Sequence, residues 1–401
     1  MRVFKIQIKL IKEWFFMLNG VMSINKNQCC GCGACESICP KDAITLKVDE
    51  EGFYYPSIDE EKCVLCNLCK ESCGFLNKEV DNNLDIKPPC FLLKHKDENV
   101  LKESRSGGAF VAFSDVVLKN GGVVYGCIMD EDFNVLHTRA EDKTGRNKMC
   151  KSKYVKSDTK YQKIFKQVEK DLEENRMVLF SGTACQAGGL VSYLKAKKVN
   201  ISNLFTLDII CHGCPSPKIF KSYIRYLEKK FKGKISDYEF RDKSMAGWEG
   251  NVETAVVGGK KRKIHYWNKL FLSDLALMPA CYNCKYKSVN RISDITIGDA
   301  WGVKKAAPGF YDKNGVSICL IHTEKGKKLF DLIKESCFIL EHPLCGPLLQ
   351  KHLYQSAKPQ KSREEFWETY YDGGIEKLIK KYATDNLLSK AKKKMKNILK
   401  K

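Results

Sequence analysis

Residues 29–40, CCGCGACESICP, and residues 63–74, CVLCNLCKESCG, carry one spacing twice. In each, three cysteines stand at intervals of three positions and a fourth follows after a longer gap: Cys29, Cys32, Cys35 and Cys39, then Cys63, Cys66, Cys69 and Cys73. Three thiolates so spaced wrap one face of a 4Fe-4S cubane, and the fourth, held away by the longer gap, ligates the other cluster. The predicted sets are therefore Cys29, Cys32, Cys35 and Cys73 for one cluster and Cys63, Cys66, Cys69 and Cys39 for the second. Zinc favours pairs of C-x-x-C over overlapping triplets, which makes it the weaker reading. Cys30 falls outside the spacing and is expected not to be a ligand.

The rest of the composition says what this module is attached to. At 401 residues the chain exceeds one typical core and predicts two or three domains. Nine of the 20 cysteines lie between Cys29 and Cys73. A secreted disulfide scaffold would be dense throughout, so the pattern predicts a local metal module on a reduced, intracellular body. No run approaches the roughly 18 apolar residues needed to cross a bilayer. The formal charge is +21; three oxidised clusters at about −2 each would leave roughly +15. A surplus of this size favours acidic partners: acidic proteins, phosphorylated cofactors or anionic lipid.

Residues 23–78 resemble a bacterial two-cluster ferredoxin domain, an α+β fold, with an acidic hairpin-like insert at 48–61 between the repeats. The proline usual after the second run is replaced by Gly74. Residues 1–22 mix apolar and basic side chains without the apolar core and cleavage site of a signal peptide, so they read as an extension of a cytoplasmic chain, with Met22 as an alternative start. Residues 79–90, polar and ending in Pro88-Pro89, read as a linker.

From residue 91 onward, apolar runs alternate with helical periodicity. Buried strands are predicted at 123–125, 177–180, 204–210 and 292–297, and helices near 107–119, 159–174, 185–197, 216–231 and 324–335. Such alternation predicts an α/β body with a largely parallel sheet. Residues 251–267, with Gly258-Gly259 between two extended runs, read as a hairpin insertion. The expected divisions are 91–172 and 173–345 for the body and 346–401 for a basic helical tail. Within the tail, residues 373–401 form an amphipathic pattern suited to an anionic membrane surface; docking of its apolar stripe on the body is the preferred alternative.

Four segments gather chemistry at element ends. Arg105, Ser106, Gly107 and Gly108 open a predicted helix, whose amides and hydroxyls suit a phosphate. The segment 181–186, with Gly182, Thr183 and Cys185, follows a strand and starts another helix, where α/β folds place ligands. Cys211-His212-Gly213-Cys214 follows the next strand, and Cys281-x-x-Cys284 precedes Gly298-Asp299-Ala300-Trp301-Gly302.

In this order, together with Lys151-Ser152-Lys153-Tyr154 and Phe240-Arg241-Asp242-Lys243, the segments resemble the family of coenzyme F420 hydrogenase/dehydrogenase beta subunits, in its form with a fused N-terminal ferredoxin, across about residues 23–345. Ala184 stands where that pattern usually has proline, and Cys214 where it usually has an aliphatic residue. The resemblance implies an FAD-bearing oxidoreductase exchanging electrons between iron-sulfur centres and a deazaflavin or comparable carrier. It implies a third 4Fe-4S cluster, with Cys185, Cys211, Cys281 and Cys284 the best-placed thiolates. A four-cysteine zinc site from Cys211, Cys214, Cys281 and Cys284 is the alternative. The cofactor-contacting candidates are Arg105, Ser106, Gly107, Gly108, Lys151, Ser152, Lys153, Tyr154, Gly182 and Thr183; His212 is the candidate proton relay and Asp299 the candidate polar contact to flavin or substrate.

Flavin converts one-electron into two-electron chemistry, which predicts a path from a redox partner, either a ferredoxin or a dehydrogenase or hydrogenase subunit, through the clusters to FAD and a small-molecule substrate. The competing expectation is an electron-transfer subunit with no substrate site of its own. No nucleic-acid recognition module is evident.

Overall fold

The computed structural model describes residues 24–78 and 83–384. The extension at 1–22, part of the linker and the end of the basic tail lie outside the described residues.

The cysteine repeats fold around a small hairpin, β1 (Ile44–Val48) and β2 (Tyr54–Ile58), paired antiparallel, with one-turn helices Ala34–Ile38 and Leu68–Glu71. The repeat extends to backbone conformation. The third and fifth positions of the first run, Gly31 and Gly33, have φ of 59° and 85°; the matching positions of the second, Leu65 and Asn67, have 57° and 61°. Glycine takes such angles freely, whereas leucine adopts them at a cost.

The body is an α/β unit around an eight-stranded sheet. Its strands are β3 (Cys90–His95), β4 (Val123–Met129), β5 (Val135–Ala140), β6 (Val178–Thr183), β7 (Leu204–Ile209), β11 (Ile295–Asp299), β12 (Ser317–Ile321) and β13 (Cys337–Glu341). The order is β13-β3-β12-β11-β7-β6-β4-β5. The four central strands, β11, β7, β6 and β4, run parallel, and antiparallel pairs flank them on both sides. These central strands are the four legible in the sequence. Alternate residues supply two cores: Val124, Leu179, Leu207 and Ile295 face the helices Ala109–Lys119 and Glu324–Leu332, while Val123, Val178, Phe180 and Leu204 face Ile164–Glu173 and Ala184–Ala196. Burial on both faces explains why they are apolar runs rather than alternating patterns. The sheet draws strands from both sides of residue 172, so the boundary read there divides the sequence and not the core. The expected linker also ends sooner, since Cys90 already pairs within the sheet.

A second sheet, β8 (Ile235–Glu239), β9 (Glu253–Val257) and β10 (Lys260–Ile264), contains the expected hairpin, with Gly258 and Gly259 both at positive φ. It packs with the helix Pro217–Phe231 on an aromatic core that includes Trp267 and Phe240. The helix Arg363–Leu378 completes this core; Ile375, Leu378 and Ile379 from the expected tail stripe are buried in it. This part of the stripe is docked on the body, and residues from 385 onward lie outside the described residues.

The ferredoxin-like module is seated on the body. Gly188 and Gly189 of the helix Ala184–Ala196 make room for it: a Cβ on Gly189 would lie 2.6 Å from Cys32 Sγ, and one on Gly74 would lie 2.7 Å from the Gly188 carbonyl. Gly74 thus has a physical reason for replacing the usual proline. Tyr286 Oη donates to the Gly74 carbonyl at 2.7 Å. On the far side, Arg363 pairs with Glu51 in the β1–β2 turn and Lys218 donates to the Glu50 carbonyl. Among the described residues no helix is long and apolar enough to cross a membrane.

Candidate redox centre and cofactor cavity

The two repeats cross over in space. Cys29, Cys32, Cys35 and Cys73 line one small cavity together with Cys30, Leu46 and Phe75. Burial pushes the Cys29 thiol up to about 12 and the Cys73 thiol up to about 11. Cys32 is shifted the other way, lowered by its hydrogen bond with Cys30 against the effect of burial. The donor set and the enclosed, apolar cavity fit a 4Fe-4S cluster. The other set differs at one position: Cys66 is exposed, whereas Cys39, Cys63 and Cys69, like the four inner cysteines, are partly covered. Cys69 lies close enough to act electrostatically on both Cys35 and Cys73, so the two sets adjoin.

Beyond the inner set the sulfur continues into the body. Cys32 and Cys73 share a small core with Cys185, Cys284, Ala184 and Tyr286. Cys30 is buried and hydrogen-bonds both Cys185 and Cys32, bridging module and body. Cys185 occupies the first turn of the helix that follows β6, with Thr183 Oγ1 3.2 Å from its Sγ. The Cys30 hydrogen bond, the positive charge of Lys156 and the Thr183 contact together lower its pKa against the opposing effect of burial. Thr183 and Gln186 form a capping box, which is why this stretch turns from strand to helix where it does. Cys284 is pushed up to about 11 by burial and then by Cys185. Cys211 also acts on Cys284. Cys281 accepts a hydrogen bond from the Cys214 amide at 3.4 Å, and Cys214 bonds Cys211 in turn. The structure therefore gathers Cys185, Cys211, Cys281 and Cys284 with Cys214 among them. Among the described residues, no three His, Cys, Asp or Glu side chains are drawn together as around a single ion.

A cavity of about 550 Å³ opens beside these cysteines, at the carboxyl ends of β4, β6, β7 and β11. This is where open α/β sheets place their ligands. Its wall includes Arg105, Ser106 and Gly108; Lys151, Ser152, Lys153 and Tyr154; Gly182 and Thr183; and Cys211, His212 and Asp299. Segments up to nearly two hundred residues apart thus meet. Gly107 does not line it; the glycine is pressed against the Leu93 carbonyl and the Ser317 amide, where any Cβ would collide.

Several candidates are already engaged. Lys151 pairs with Glu239 at 2.7 Å, and Lys153 Nζ donates to the Lys148 and Cys150 carbonyls. Ser106 Oγ donates to the Val316 carbonyl. Asp299, the candidate polar contact to flavin or substrate, accepts from Arg241 at 2.8 Å and from Trp248 Nε1 at 3.0 Å. Arg241 also donates to Tyr154 Oη at 3.2 Å and lies over the Trp301 ring, so three sequence motifs are tied together at one residue. Burial, then the charge of Arg241, lowers the Arg105 pKa to about 10, marking a cationic end of the cavity. His212 Nε2 is 2.5 Å from Asp274 Oδ1, and its ring lies against those of Phe271 and His352. His352 is lowered to about 4, by burial and then by His212. Asp274, His352, the neutral buried His137 and the buried Lys156 lay outside the sequence motifs; no spacing flagged them.

Fold and site together define an iron-sulfur protein of the oxidoreductase class. Residues 175–344 match the family described as the C terminus of the coenzyme F420 hydrogenase/dehydrogenase beta subunit, and residues 28–75 match the 4Fe-4S dicluster domain. The chain thus carries the C-terminal domain of the coenzyme F420 hydrogenase/dehydrogenase beta subunits, with a dicluster domain ahead of it. It is 24% identical over 344 residues to the F component of the F(420)H(2) dehydrogenase of Methanosarcina mazei, covering 80% of this chain and 87% of that protein. An uncharacterized ferredoxin of Methanocaldococcus jannaschii is 38% identical over 83 residues, 20% of this chain and 92% of that protein. A chain of the F420-reducing NiFe hydrogenase complex from Methanosarcina barkeri aligns at 16% identity with a TM-score of 0.46, over 73% of this chain and 96% of that one.

Proposed function

We propose that the chain is an FAD-bearing iron-sulfur oxidoreductase. In this reading electrons pass between the two dicluster centres, a third 4Fe-4S cluster at Cys185, Cys211, Cys281 and Cys284, and FAD in the adjoining cavity, and then to or from a deazaflavin or another two-electron substrate. The observation that carries it is continuity: the inner cluster cysteines share a core with Cys185 and Cys284, and Cys211 lines the cavity.

FAD, when bound, supplies the exchange between single electrons and a hydride pair. The chain's own residues account for the rest. A cavity of about 550 Å³ falls within the range of cofactor sites. Arg105, beside an Arg241 already paired with Asp299, gives it an anionic preference at one end, suited to a phosphate or carboxylate. Tyr154 stacks on Phe271 at 4.8 Å, offering a flat aromatic wall. His212, its ring oriented by Asp274, lines the cavity as the residue proposed to relay a proton. Lys151, Lys153 and Ser152 act through the shape of their loop, the two lysines being satisfied by protein partners. The relative named as part of a dehydrogenase supports a redox partner protein for this chain too.

The test is anaerobic purification with iron, zinc and flavin counted. About twelve irons and one FAD per chain are expected. About eight irons with one zinc would overturn the third cluster, and loaded protein that never binds flavin would leave an electron-transfer subunit without its own substrate site.

A further inference from the structure

The loop 151–156 carries three lysines, and they differ in one respect. Lys151 is neutralised by Glu239 and Lys153 is bound to two carbonyls, but Lys156 has no hydrogen-bond partner on Nζ although only 6% of the residue is exposed. Its place is fixed from three sides. The Lys156 amide donates to the Pro215 carbonyl at 2.9 Å, Ser157 Oγ accepts from Gln186 at 2.9 Å, and Thr159 Oγ1 donates to the Cys32 carbonyl at 2.7 Å. The ammonium is held where the ferredoxin-like module meets the body. Its charge is felt most strongly by Cys185 and Cys214 of the body and next by Cys30 and Cys32 of the module, and it acts on Cys29 as well.

An unpaired ammonium out of water costs several kcal/mol and persists where an anion compensates it. No carboxylate is hydrogen-bonded to this one; sulfur surrounds it. A four-thiolate 4Fe-4S cluster is a dianion when oxidised and gains one further negative charge on reduction, so a fixed neighbouring cation favours the reduced form. Burial acts in the opposite sense, penalising the more highly charged state. The outer set, with Cys66 exposed, is open to solvent instead.

We propose that Lys156 is the buried counter-cation of the inner cluster, a positioning residue that holds the reduction potential of the centre bound by Cys29, Cys32, Cys35 and Cys73 higher than its burial alone would set. Electrons arriving from the outer centre are thereby held beside the body. The inference rests on the dicluster ligation and not on flavin; a third cluster at Cys185 would feel the same ammonium, so the readout is confined to the inner signal and its failure is distinct from failure of the proposed function.

The experiment is a redox titration of the full, anaerobically loaded chain followed by electron paramagnetic resonance. The inner signal is assigned as the one lost in Cys29→Ser, and the outer as the one lost in Cys66→Ser. In Lys156→Met the equilibrium constant for one-electron reduction of the inner centre is expected to fall at least tenfold, about 59 mV for one electron, with the outer signal unmoved. Lys156→Arg, which keeps the charge, restores most of the wild-type value. Lys156→Gln carries the same expectation as Lys156→Met and serves if the methionine variant loses iron. An unchanged inner midpoint, an equal shift of both signals, or an arginine variant displaced as far as the methionine one overturns the proposal.

Discussion

The inner and outer cluster sites share ligand spacing and left-handed backbone positions, yet one is packed against the body and the other has a ligand in solvent. The inner site is closed by Phe75 and by the Gly188-Gly189 face of a body helix, and feels the charge of Lys156; the outer one leaves Cys66 in solvent. Spacing specifies that a cluster is held. Residues more than a hundred positions away specify what electrical environment it meets. One duplicated motif thus yields a site with a ligand in solvent and a site closed against the body.

The largest expected effect attacks the closed side. Gly189→Val places side-chain carbon within 2.6 Å of Cys32 Sγ, an overpacking that costs about 3 kcal/mol. The module should lose its seat and its inner cluster, seen as a loss of about four irons per chain. Full iron content with an undisturbed inner signal would break the comparison. Next, oxygen or a chelator should strip the outer centre first because Cys66 is accessible. Timed quenching with iron release and paramagnetic signals recorded together would show the order, and first decay of the inner signal would reverse the assignment.

A smaller change restores what such repeats usually carry. In Gly74→Pro the new ring meets the Gly188 carbonyl, 2.7 Å from the Cβ position, and should destabilise docking by about 1–3 kcal/mol. Chemical denaturation under anaerobic conditions reads this, and a neutral result would mean the module seats elsewhere. Least of all, Leu65→Gly gives the outer loop the residue type the inner loop has at Gly31. Relief of the left-handed leucine, at φ 57°, is offset by glycine entropy, leaving at most about 1 kcal/mol of stabilisation. A clear loss of stability would show that Leu65 packs in a way its backbone strain conceals.

Much of this was legible because the relevant residues carry pattern. The strands β4, β6, β7 and β11 are apolar runs buried on two faces, and Gly258-Gly259 marks its hairpin by positive φ. The flanking strands are harder. The β13 strand, Cys337–Glu341, carries a short apolar run, Cys337 to Leu340, but only Cys337 of it is buried, and β3 follows directly on a proline pair that reads as linker. The cavity loops were legible because they follow strand ends. Asp274, His352 and Lys156 were not, since each owes its place to a partner from a distant segment: His212, 62 residues before Asp274, or the sulfur atoms of two domains around one ammonium. Asp299 was seen, but its engagement by Arg241 and Trp248 depends on packing that no motif records.

The central claim is that current enters the body through the inner cluster. Rapid mixing of the oxidised, loaded chain with a reduced viologen, following cluster and flavin absorbance together, tests it most directly. Clusters should bleach before flavin in the intact chain, and flavin reduction should slow by at least tenfold in Cys29→Ser, which lacks the inner centre. Flavin reduced as fast in that variant as in the intact chain would contradict the account.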